Sequence, residues 1–398
     1  MRWLHRWRHR WLHRWRLLSM CLLFTGLLWW APLPVALPSF LVSNLAAQPL
    51  EVSVPSASPA PSVRIQVLSR YRLEQLKLSG PAAYHLVWKA PHLFMEGQPV
   101  ALPLRLPSAR WTVQLPGGLT RTYVGALELH APDGTLRLIL NTQLESYVAQ
   151  VVRAESDPKT PPATLEALAV VVRSFALARR GAHEGSNLCD LAHCQVFQGL
   201  RDSADATRAR RATTRTRGWR LVLADGRPAL PLFHAACGGQ TLDPTELYEG
   251  ADLSGAASVG DSGCAPQPWQ LRLTRKALAD GLAQLFWPGG QAGVPGPEHI
   301  RLDTGVGGVL RWVQDLRSGE RRRGEKLFRL LGESQGWDRL RSPRFTWERQ
   351  GELYLIRGQG LGHGVGLCQL GARRRALEGA SAEAILQHYF PHARLFKE

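Results

Sequence analysis

Within residues 141–200, the segment PPATLEALAVVVRSFALARRG (161–181) leaves the chain least freedom. Pro161 and Pro162 suit a helix entry, apolar residues recur at Leu165, Leu168, Ala169, Val172, Phe175 and Ala176, and Arg179, Arg180 and Gly181 close the run. The spacing predicts an amphipathic, core-facing helix around which the other elements are arranged. Arg173 lies beside the apolar stripe. It is either a flank charge reaching for water or an anchor pointed into a site.

Two further features flank this helix. Glu155 follows the apolar run 147–152 and precedes a polar, proline-bearing turn, SDPKTPP. An acid where ordered structure meets a loop suits general acid chemistry if burial raises its pKa; otherwise it is a solvated surface residue. After the helix come His183, Cys189, His193 and Cys194. Two thiols and two imidazoles match the donor set of a tetrahedral zinc, although the spacing is not that of a zinc finger. The alternative is a Cys189–Cys194 disulfide beside two surface histidines.

Three blocks in this order, 155–197, HAACGGQT (234–241) and GQGLGHGVGLCQLGA (358–372), resemble the SpoIID/LytB family of sporulation stage II protein D and amidase-enhancer proteins. The likeness extends over roughly 63–395. The strand-like runs before and after the central amphipathic helix themselves read as an α+β fold of short antiparallel strands around it. The likeness implies lytic transglycosylase activity on peptide-stripped glycan strands, with Glu155 at the position of the catalytic acid. The family's alanine-rich helix aligns with 167–176 and puts Arg173 in the place of its arginine. Substrate-binding roles are implied for Arg173, Gln195, Gly238, Thr241, His363 and Gln369, the last two either binding sugar or holding the acid loop. Some members bind zinc in the loop that corresponds to His183, Cys189, His193 and Cys194, so one structural zinc is expected as the only cofactor. Two positions depart from the pattern: Ser156 stands for the usual methionine and Leu168 for the usual glutamine.

One carboxyl suffices for such a reaction. Hydrolytic glycosidases normally use two, whereas a lytic enzyme uses the sugar's own hydroxyl as nucleophile. Glu155 would protonate the oxygen between N-acetylmuramic acid and N-acetylglucosamine, then accept the proton of the muramic C6 hydroxyl, leaving a 1,6-anhydro end. Asp157, two residues on, is the nearest second acid and keeps hydrolysis open as a minor alternative. A second reading is a non-catalytic glycan-binding activator of a cell-wall amidase; Leu168 favours it.

The rest of the chain sets the compartment. Residues 2–16 repeat a short Arg- and Trp-rich unit, the first acid is Glu51, and an apolar run 17–30 follows the basic start. Residues 1–47 therefore read as an export signal, cleaved near Ala46 or Ala47 or retained as a membrane anchor. Residues 48–62 read as a linker rich in small residues and proline, and 63–398 as the catalytic domain. The expected location is the periplasm or cell envelope. Six leader arginines account for six of the formal +17, leaving about +11 for the exported part, which suits an anionic partner. No zinc-finger spacing, RNA-binding aromatic signature or phosphate loop points to nucleic acid, so glycan strands, anionic lipid and an amidase are the expected partners. Of the six cysteines, Cys237 and Cys264 are a candidate disulfide, and Cys368 stays free or acts as a ligand. Hairpins are expected at 123–130/135–140 and 219–224/228–233, a helix over 274–287, a glycine-rich loop over 289–308 and a charged solvated edge over 310–330.

Overall fold

The computed structural model describes residues 61–179, 185–249, 254–287 and 296–398. The expected leader, nearly all of the expected linker, and His183 lie outside them. The fold is α+β, as the pattern of strand-like runs around one helix predicts. Alternating side chains build a nine-stranded sheet: Ser62–Val67 buries Val63, Ile65 and Val67 on one face and leaves the intervening residues partly exposed. From one edge the strands run Gln98–Val100, His92–Met95, Ala83–Lys89, Gln75–Ser79, Leu104–Gln114, Thr120–His130, Arg137–Gln143, Ser62–Val67 and Leu188–Cys189. All pairings are antiparallel except the last, where Ile65 lies opposite Leu188 in a parallel pair. The first expected hairpin is present, with His130 opposite Arg137 across the turn and Gly134 at a positive φ.

Leu144–Glu155 is a helix that the sequence reading treated only as an ordered apolar run. It buries Leu144, Tyr147, Val148, Val151 and Val152 in one core with the sheet. The central helix, Pro162–Ala178, sends the expected stripe of Leu165, Leu168, Ala169, Val172, Phe175 and Ala176 into that same core. Its opposite side is not polar, which corrects the amphipathic expectation. Ala167, Val170 and Val171 enter a second core with Ala236, Cys237, Val365, Leu367, Cys368, Tyr389 and Phe390. A helix placed between two cores is apolar all round.

The second core is built late in the chain. Phe233–His234 pairs in parallel with Leu367–Cys368, and the helices Gln369–Leu377 and Ala382–Tyr389 pack on them, the latter capped by the Ser381 side chain. The expected hairpin at 219–233 forms only as a turn with one bridge, Val222 to Pro228. Arg220–Leu223 pairs instead with Ala393–Phe396 at the end of the chain. Pro228 and Pro231 lack the N–H groups a ladder needs.

A third core gathers Leu271, Leu278, Leu282, Leu310, Leu327, Leu331 and Ile356. The expected helix is there, over Arg275–Phe286 with the Thr274 side chain as its cap. Of the expected loop, residues 289–295 lie outside the described residues; its later part holds the strand Ile300–Thr304, which forms a small sheet with Leu310–Asp315 and Arg321–Arg323, and the expected charged edge is corrected by these strands and by the helix Gly324–Gln335. The guanidiniums of Arg321 and Arg323 lie over the Trp312 ring, at 4.8 and 4.9 Å from its centroid, so charge in the sequence conceals an aromatic stack. Among the described residues no helix is long and apolar enough to cross a membrane.

Candidate active site

Glu155 is the last residue of the helix Leu144–Glu155, and Ser156 leaves it in an extended conformation (φ −106°, ψ 150°). The backbone around the acid is held from several directions. The Ser156 hydroxyl donates to the Val152 carbonyl at 2.6 Å, and Gln369 Nε2 donates to the Glu155 carbonyl at 3.0 Å. Arg208, on the helix Ala204–Arg215, donates to the carbonyls of Pro158 and Thr160 in the following turn.

The carboxyl itself accepts one hydrogen bond, from Val196 N–H to Oε1 at 2.8 Å. Burial pushes its pKa up to about 7, and the Val196 bond pulls the other way. The negative end of the helix dipole also disfavours a carboxylate at this position. Glu155 thus has the property a general acid needs near neutral pH. Asp157, the second acid of the hydrolytic alternative, is exposed and accepts the Lys159 N–H within its own turn.

Val196 reaches Glu155 because the preceding loop is fixed. Tyr147 Oη donates to Gln195 Oε1 at 2.8 Å in the buried interior, and the Tyr147 and Phe197 rings stack at 5.5 Å. Immediately before them, Cys189 Sγ lies 3.0 Å from Cys194 Sγ and 3.2 Å from His193 Nε2. No disulfide joins the two cysteines, so that alternative is not the state seen. The ligating atoms of Cys189, His193 and Cys194 lie within 4.8 Å of one another, and the Cys189 N–H donates to Cys194 Sγ. Thiols, an imidazole and an amide aimed at sulfur fit a zinc ion. The fourth expected ligand, His183, lies outside the described residues.

Other expected groove residues have different surroundings. Arg173 is almost fully buried, and its guanidinium grips both carboxylate oxygens of Glu145 at 2.7 Å each, while also donating to the Trp219 and Thr213 carbonyls. The reading of Arg173 as an anchor aimed at a ligand gives way to a buried clamp. Thr241 is fully buried, its hydroxyl donating to Ala257 O and accepting from Val259 N–H. Gly238 has a positive φ, and a Cβ there would meet the Gln359 side chain at 2.8 Å. His363 donates from Nε2 to Phe233 O and accepts the Val365 N–H at Nδ1, and burial lowers its pKa to about 4. It is a neutral clasp between two segments. Leu168, the departure from the glutamine pattern, is buried in the sheet core, away from any solvent-facing contact.

The structure therefore brings Glu155, Gln195, Gln369 and the Cys/His loop together around the end of one helix. Arg173, Gly238, Thr241 and His363 hold the scaffold behind it. Glu145, Tyr147 and the Val196 amide are the participants that the sequence reading missed. The first two had a signal, apolar residues at 144, 147, 148, 151 and 152 with an acid in the first turn; a backbone amide has none.

A sequence profile described as Stage II sporulation protein, SpoIID, matches residues 132–222, which contain Glu155, Arg173 and both loop cysteines. Stage II sporulation protein D of Bacillus subtilis is 24% identical over 266 residues, covering 63% of this chain and 73% of the relative. The protein of the same name from Bacillus amyloliquefaciens is 26% identical over 267 residues, with the same shares covered. A shorter stretch of 56 residues, 14% of this chain and 8% of the relative, is 40% identical to the amidase enhancer of Bacillus subtilis. The profile covers the first of the three sequence blocks, and the chain is similar to SpoIID proteins, with a SpoIID domain at residues 132–222.

Proposed function

We propose that this chain is an exported peptidoglycan lytic transglycosylase that cleaves the MurNAc–GlcNAc bond of peptide-stripped glycan strands. The observation that carries the reading is the Glu155 carboxyl, raised to about 7 by burial and steadied by a single amide. Protonated, it gives its proton to the glycosidic oxygen; as a carboxylate, it takes the proton of the C6 hydroxyl as that oxygen closes on the anomeric carbon. One group serves both steps because a pKa near the working pH lets it release and recover a proton at little cost. No partner carboxylate is required, which agrees with Asp157 being exposed and engaged in its own turn. Zinc in the Cys189, His193 and Cys194 loop, with His183 as the fourth ligand, would act structurally, fixing the loop that delivers the Val196 amide.

Peptide-free glycan strands incubated with the protein and analysed by mass spectrometry test this. Anhydro-muramic ends from the native protein and at least a thousandfold fewer from Glu155→Gln are expected. Hydrated reducing ends would mean a hydrolase. Intact strands from both proteins would favour the second reading, a glycan-binding activator of a cell-wall amidase, which the short similarity to the amidase enhancer supports. The remaining parts of the reading are an envelope location and an N-terminal export segment at 1–47, which rest on the basic and apolar start of the chain.

A further inference from the structure

A second group of soft ligands lies on the other side of the central helix. Cys237, Cys264 and Cys368 are all buried free thiols, linked through the backbone: the Cys237 N–H donates to Cys368 Sγ and the Gly238 N–H to Cys264 Sγ. The expected Cys237–Cys264 disulfide is therefore replaced by a three-thiol cluster. His234 stands beside it: its ligating nitrogen and the sulfurs of Cys237 and Cys368 lie within 4.8 Å of one another. The imidazole Nδ1 bonds the Val365 carbonyl at 3.0 Å, which fixes the proton there and leaves Nε2 as the lone pair. That Nε2 is buried and has no hydrogen-bond partner.

We propose that His234, Cys237 and Cys368, with Cys264 moving in as the fourth ligand, bind a second zinc ion, or a cation of the same soft, tetrahedral kind, independently of the loop at Cys189–Cys194. Three features beyond the donor set support it. Backbone amides already point at the sulfurs: Cys237 N–H and Gly371 N–H at Cys368 Sγ, each 3.3 Å, and Gly238 N–H at Cys264 Sγ, 3.2 Å. Such amides stabilise thiolates, and Cys368 is also the N-cap of the helix Gln369–Leu377, where the dipole favours negative charge. The His234 Nδ1–H bond to a carbonyl is the outer contact that orients a metal-bound imidazole.

The charge balances. Three thiols lose their protons as three sulfur–metal bonds form, so a divalent cation with three thiolates and a neutral imidazole carries one net negative charge. Arg344 is buried next to the cluster, donating to the carbonyls of Cys237 and Gln240 with its Nε left without a partner, and supplies the opposing charge. The Cys237 thiol now donates to Asp261 Oδ2, at 3.3 Å, so an acceptor for its proton is in place. The ion would join three segments distant in sequence, and one of them carries Gln369, the residue bonded to the Glu155 carbonyl.

The full-length chain, purified with reductant, is loaded with zinc, dialysed and its metal counted by plasma mass spectrometry. Cys189→Ser/Cys194→Ser should keep one equivalent, and adding Cys264→Ser should remove it. Where serine variants do not fold, cadmium-113 resonances decide: the unaltered protein should give two, and His234→Cys should keep both while moving one of them downfield as a fourth thiolate replaces the imidazole. A single resonance that His234→Cys leaves in place would overturn the proposal. So would peptide mapping that finds Cys237 joined to Cys264 in protein that has never held metal after reduction. Neither result depends on whether the chain cleaves glycan.

Discussion

Glu155 carries two demands that oppose each other. Keeping its carboxyl protonated near neutrality requires burial, and burial destabilises the fold once the group ionises. Its pKa is about 7 in the native chain against an ordinary value of 4.5. Between those values the native state holds a proton that the unfolded chain has released, so stability falls as pH rises, and above pH 7 the whole cost is present. Glu155→Gln keeps an oxygen for the Val196 N–H and never ionises. We expect it to stabilise the protein on the order of 1–3 kcal/mol at pH 8 and to change little at pH 4.5, as read by thermal unfolding at both values. A variant destabilised at pH 8 would mean that the carboxylate is welcome in this site. Activity should decline above about pH 7 with the loss of one proton, because only the protonated form can start the reaction. The sequence singled the residue out at the edge of ordered structure, and the resemblance added the proposed role. Its surroundings were not legible, because the amide that steadies it comes from Val196, forty-one positions away.

At the scale of elements, the helices Leu144–Glu155 and Pro162–Ala178 are locked by one ion pair. Arg173 is 2% exposed in its side chain and Glu145 28%, and four hydrogen bonds converge on the guanidinium. Removing only the carboxylate strands a buried cation, so Glu145→Ala should cost about 3–5 kcal/mol. Arg173→Lys should cost nearly as much, since an ammonium cannot reproduce the two-pronged contact. The double variant Glu145→Ala/Arg173→Met should recover a large part of the loss, because no unpaired charge remains. Urea unfolding of the three variants checks this; additive losses would show that the pair is not coupled. The central helix was readable from its apolar spacing, and Arg173 was correctly singled out beside it. Its role was misjudged because its partner lies on a helix that was read as an undefined apolar run. The same short apolar segment fits a strand or a buried helix, and only its i, i+3, i+4, i+7 spacing separates the two.

At the scale of the whole molecule, the described residues are organised by three cores, of which the sequence made one visible. The sheet core and the second core share the central helix, so neither can open without exposing it. The third core, built from 268–359, has its own strands and two helices and draws no residue from that helix. It was hidden because its helix Gly324–Gln335 and strand Arg321–Arg323 carry dense charge, and because the preceding segment is rich in glycine; both patterns match solvated loops as well as ordered elements. Buried contacts determine which parts open together. Amides of the central helix should therefore exchange with solvent only through global unfolding, with the highest protection in the chain. Amides of Arg275–Phe286 and Gly324–Gln335 should exchange as a separate unit at a lower opening free energy. Native-state hydrogen exchange in low denaturant, resolved by peptide, measures both. One tie between the units is Arg344, which follows the third core's helices in sequence and donates across to Cys237 and Gln240 beside the second core. Arg344→Ala should lower protection around Cys237 and widen the gap between the two opening energies. Equal protection of all three cores in the unaltered protein would instead mean that the molecule unfolds as a single cooperative body, with Glu155 as firmly held as any residue in it.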